Sequence, residues 1–70
     1  MIWLFERHQQ RARLEILHLT TDNFEVRFTD EAGVDHVEYW TDVADVARRQ
    51  VQVLTELNSQ GWTKTGGWKL

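Results

Sequence analysis

Residues 42–61 read DVADVARRQVQVLTELNSQG, and the fold turns on how this stretch is read. Val43, Val46, Ala47, Val51, Leu54 and Leu57 recur as a single helical stripe, while Asp45, Arg48, Arg49, Gln52, Thr55 and Glu56 mostly fall on the opposite side. The spacing predicts a helix from about Asp42 to Gln60. Thr41 or Asp42 can cap the free amides of its first turn, and Asp42 and Asp45 sit where the helix dipole favours acids. Gly61 suits the left-handed residue that ends a helix, and Trp62 is placed to fold back on the last turn.

A helix with one apolar stripe needs an apolar layer to lie on. Just upstream, Phe24, Val26 and Phe28 alternate with Glu25, Arg27 and Thr29, the pattern of a half-buried strand. Asp30-Glu31-Ala32-Gly33 then closes a hairpin, with Gly33 available for a positive φ, and Val34–Thr41 returns as a partner strand. A common apolar surface joins Phe24, Val26 and Phe28 to Val37 and Tyr39, which requires paired residue numbers to sum to an odd value. The outer face then carries Glu25, Arg27, Thr29, His36, Glu38 and Trp40 and meets water.

Further upstream, residues 2–7 form a short aromatic-rich run that reads as a first strand, ended by the polar stretch His8-Gln9-Gln10-Arg11. Ala12–Thr20 reads as a second strand with an internal conflict, since Leu14 and Ile16 share one parity and Leu17 and Leu19 the other. Either this strand is central with both faces covered, or a β-bulge near Ile16-Leu17 switches its inward face. A single helix favours the bulge. Thr21-Asp22-Asn23 supplies the next turn.

These elements predict an α+β fold, an antiparallel β-meander of three to four strands covered on one face by a C-terminal amphipathic helix (ββββα). Residues 62–70 extend as a short C-terminal edge strand or a tail; Gly66-Gly67 weakens the strand reading, and the expectation is a packed Trp62 with the last few residues loose.

The chain has 70 residues, below the usual domain mode of about 100–150, so residues 1–70 make one small domain. A chain this short hides only about 60% of its unfolded surface, which leaves stability marginal. It has no cysteine, hence no disulfide staple and no thiolate ligand. Its 41% hydrophobic and 27% charged residues give a globular balance. The opening apolar run Met1–Phe5 is too short for a signal-peptide core or a membrane span, so a cytoplasmic location is expected and no membrane partner. The net charge of −3 is unevenly spread: residues 21–45 are strongly acidic and both ends are basic, an arrangement that could steer a basic partner or a second copy.

Nothing in the chain carries a catalytic signature. Ser59 sits in a helix-ending polar cluster, and His8, His18 and His36 lack any HxH, HxxxH or HExxH spacing. Asp30, Glu31 and Asp35 lack the alternating acids and distal Glu of a calcium loop. No catalytic, cofactor or metal residue is assigned, and the expectation is a non-enzyme without a cofactor.

The order F-E-V-R-F, a glycine turn, a strand, a helix and then Gly61-Trp62 resembles the DNA-end-binding WGR domain. That family's Trp-Gly-Arg motif would fall near Arg27-Phe28-Thr29-Asp30 and is absent, so the resemblance is one of topology and carries over no functional residue.

Large apolar groups left over from any single inward face commonly mark an interface. The expected function is therefore a non-catalytic protein-interaction module that self-associates, with a homodimer as the first partner and an unidentified protein as another. The alternative is a weak single-stranded nucleic-acid-binding domain using the outer face and the tail, which the net acidity disfavours. Candidate surface residues are Trp3, Arg27, His36, Trp40, Trp62 and Trp68.

Overall fold

The computed structural model describes residues 1–68, with Trp68 described by its backbone alone. The chain runs β1 (Ile2–Arg7), β2 (Gln10–Thr20), β3 (Asn23–Thr29), β4 (Asp35–Trp40), α1 (Val43–Ser59) and β5 (Thr63–Trp68). The strands form one antiparallel sheet in the order β4-β3-β2-β1-β5, so the last strand returns to pair with the first. The expected ββββα arrangement is present, completed by the C-terminal edge strand.

Opposed residues share a face, so the register sorts every side chain. Phe5 opposes Ala12, Leu14 opposes Phe28, and Ile16 opposes Val26. These residues line the side covered by α1, where Phe5, Ala12, Leu14, Ile16, Val26, Val46, Val53, Leu57 and Trp62 make the buried core. Leu14, on the central strand, is completely enclosed.

Three expectations need correction. First, β4 is turned over: Phe24, Val26 and Phe28 oppose Trp40, Glu38 and His36, so Val37 and Tyr39 lie on the open side. The hairpin loop decides this register. Asp30 Oδ1 accepts from the amides of Ala32 (2.9 Å) and Val34 (3.0 Å), and Gly33 at φ 80° closes the turn, which sets Thr29 opposite Asp35.

Second, the alternation of β2 runs unbroken through Ile16-Leu17, leaving Leu17 off the core side, and the irregularity falls between His18 and Thr20, at Leu19. The turn that follows joins Thr20 to Asn23 through Thr21-Asp22, neither with positive φ. Such a turn splays two strands unless a bulge restores their twist.

Third, the buried stripe of α1 is Val46, Val53 and Leu57, with Leu54 half-buried, while Val43 and Val51 are 66% and 62% exposed. Val51 lies about 140° round the helix from Val46 at 100° per residue. The helix has rolled towards β4 because Arg49 there grips Glu38.

Of the two alternatives for residues 62–70, the edge strand forms, as β5, despite Gly66-Gly67. A Cβ at Gly67 would stand 2.8 Å from the Ile2 carbonyl, so glycine is what lets this strand approach β1. The expected loose end falls on residues beyond 68, outside those described.

The helix ends are as expected. Asp42 accepts from the Ala44 amide at 2.7 Å. At the other end Gly61 takes φ 86°, its amide donates to Asn58 O, and the Trp62 amide donates to Leu57 O at 3.0 Å. This paired closure leaves Trp62 and Leu57 buried together in the core.

Candidate interaction surfaces

The candidate residues do not gather on one surface. Trp3 and Trp40 lie on the helix side of the sheet, half-buried against the core. His36 stands on that side too, its ring 6.1 Å from Phe28 and its Nε2 2.9 Å from Asp30 Oδ2. Trp62 is only 5% exposed, and the Arg7 guanidinium stacks 4.4 Å above its ring while donating to the Gln60 carbonyl. Trp68 ends β5 opposite Ile2. Among the described side chains of the set, Arg27 alone belongs to the open face, so the expected outer platform of Arg27, His36 and Trp40 does not exist.

On the edge strand, Glu38 receives Arg49 as a fork, Nε to Oε1 and Nη2 to Oε2 both at 2.8 Å, and Trp40 Nε1 adds a third donor at 3.2 Å. The guanidinium holds the Glu38 carboxyl below its usual range and is itself raised in return. Asp30 is likewise lowered, chiefly by its hydrogen bond with His36 and then by the Val34 amide. These pairs fasten the hairpin and the helix.

The open face has a different character. Glu15 opposes Arg27, while Leu17 and Tyr39 flank Glu25 from the neighbouring strands and Val37 flanks Arg27. Arg13 Nε lies 2.8 Å from Glu15, and Arg27 Nη2 lies 3.0 Å from Glu25 Oε2. Tyr39 is 71% exposed, yet Glu25 beside it is 6% exposed, against the expectation that it meets water. Its Oε2 lacks a well-directed hydrogen bond, as does the buried Nε of Arg27. Ile2 and Leu4 extend the face on β1.

An apolar groove of about 720 Å³ opens at the other side, where the first turns of α1 overhang the end of β2. Val43, Val46 and Ala47 form one wall, Leu19 and Phe24 another, with His18 stacked on Phe24 at 4.7 Å.

Reading the sequence counts Leu17 or Leu19 among the apolar groups left over from an inward face but does not single out Glu25, Val37 and Tyr39. A signal for them exists: Arg13-x-Glu15 and Glu25-x-Arg27 place opposite charges two apart on adjoining strands, which marks one face of a sheet. Among the described residues there is no cluster of three or more metal-ligating groups and no helix long and apolar enough to cross a membrane. Comparison with known proteins returns no matching family model, no matching characterised protein and no matching solved structure.

Proposed function

We propose that this protein is a non-catalytic interaction module that works by associating with itself. The observation that carries the reading is the one-sided cover of the sheet. The helix lies on one side, and among the described residues no element covers the other, where Tyr39 and Val37 are exposed and Leu17, Leu4 and Ile2 half-buried. A chain of this size gains stability from burying such groups against a partner, and a two-fold dimer does so with one self-complementary patch. The cations of the open face are matched by carboxylates, Arg11 with Glu6, Arg13 with Glu15 and Arg27 with Glu25, which weighs against attraction of phosphate.

We place the module in the cytoplasm, a compartment that suits a small chain without cysteine staples; fractionation of cells expressing it tests this. Light scattering after size exclusion tests self-association. A dimer mass that gives way to monomer on dilution is expected, and a strictly monomeric chain at high micromolar concentration ends the proposal.

A further inference from the structure

We infer that a second copy of this chain docks on the open face of the sheet, across a two-fold axis passing between Glu25 and Arg27 of β3. This rests on the self-association proposed above and specifies where and how it occurs.

The inference starts from a buried charge in an unexpected place. Glu25 is more than nine-tenths covered, on a side of the sheet that no other element among the described residues shields. Neighbouring side chains alone close over it. Its Oε2 is held by Arg27 Nη2 at 3.0 Å without a well-directed hydrogen bond, and the buried Nε of Arg27 has no acceptor among the described residues. A buried guanidinium N–H without an acceptor is costly, and a poorly directed ion pair offsets little of the cost of burying a carboxylate. A better-directed pairing with a partner reduces both costs.

The two atoms are complementary, one acceptor and one donor on the same strand and face. In a two-fold contact, residue i meets residue j while j meets i. An axis between positions 25 and 27 therefore brings each Glu25 to Arg27 of the second copy, and one operation exchanges two ion pairs within chains for two between them. Arg27 has 35% of its side chain open, so its guanidinium has room to swing from its own Glu25 to the facing one.

The register extends the match. Tyr39 and Leu17 flank Glu25, and Val37 and Glu15 flank Arg27. The same axis carries the exposed Tyr39 ring onto Val37 of the second copy and Leu17 onto the aliphatic stem of Glu15. Sheets packed face to face lie about 10 Å apart, a gap that side chains of this size fill. The central patch of Arg13, Glu15, Glu25 and Arg27 carries no net charge, so two copies meet there without the repulsion that a chain of net charge −3 otherwise feels.

Charge reversal provides the test. Glu25→Arg places two arginines at the axis and Arg27→Glu places two glutamates, so each variant repels its own kind and is expected to dimerise about tenfold or more weakly than the unaltered chain. Mixed in equal amounts, the two variants present arginine pairs to glutamate pairs, and sedimentation velocity is expected to show the heterodimer. Tyr39→Lys, at a site too exposed to disturb folding, is expected to weaken dimerisation as well. Should either reversal fail to fold by circular dichroism, Tyr39→Lys decides alone. A wild-type dimer that all folded variants reproduce at full strength overturns the assignment of this face while leaving self-association standing. A monomeric wild type removes both.

Discussion

Arg49 of the helix and Glu38 of the edge strand form a two-pronged pair, both contacts 2.8 Å long, on the side of β4 that faces the core. Each side chain is about a third exposed, so water screens the pair, and its ideal fork puts it near the top of the range for such contacts, about 1 kcal/mol. Glu38→Gln is expected to lower Tm by about 4–8 °C at neutral pH. Because the folded carboxyl is held below its ordinary value, the stabilisation is complete above the usual glutamate range near pH 4.3 and is lost as pH falls through the lowered value. Thermal melts of both proteins across that interval should converge at the acid end; parallel curves would show that the pair carries no such term.

The roll of the helix gives a sharper contrast. Val53 is buried and Val51 is exposed, although both are valines of the same helix. Val53→Asp buries a lone charge at about 3–5 kcal/mol, a large part of the roughly 4–10 kcal/mol expected for a chain of this length. Val51→Asp is expected to change stability by about 0.5 kcal/mol or less. Urea denaturation of the two variants checks this, and equal losses would place the helix at a different rotation.

The β1–β2 hairpin carries a removable strain. His8 and Gln9 both have positive φ, 49° and 66°, in the turn that sets Arg7 opposite Gln10. Such turns favour Asn-Gly, because other side chains crowd the backbone there. Replacing His8 by Asn together with Gln9 by Gly is expected to raise stability by about 1 kcal/mol, read as a higher urea midpoint at unchanged slope.

At the far edge, Gly67→Ala would push a methyl to 2.8 Å from the Ile2 carbonyl, whereas Gly66→Ala meets only the Leu4 side chain at 3.8 Å. The first is expected to loosen β5 and the second to leave it in place. Amide exchange over residues 63–68 distinguishes them: fast exchange confined to the Gly67 variant is the expected outcome.

Much of the architecture was legible because its signals are local. The alternation of Phe24, Val26 and Phe28, the Asp42 cap and the Gly61 stop each speak for themselves within a few residues. The misreadings concern relations between elements. Val37 and Tyr39 look like the inward residues of β4, but a loop tied by Asp30 fixes the pairing, and the carboxylate it turns inward, Glu38, is satisfied by Arg49, which no strand pattern announces. The helix stripe was drawn too far round for the same reason. For the candidate surface, tryptophans drew attention by size, yet Trp3, Trp40 and Trp62 pack on the core. The open face is marked instead by an ordinary glutamate, whose burial depends on neighbours contributed by three strands.

The pairing of the first strand with the last sets the timetable of folding. During synthesis β1, β2, β3 and β4 can zip as successive hairpins, each closing a short loop, but the outer rim of β1 stays bare until Thr63–Trp68 have left the ribosome. Nascent chains of this protein therefore carry one open β-edge, the feature most prone to template a neighbour, until β5 emerges and covers it.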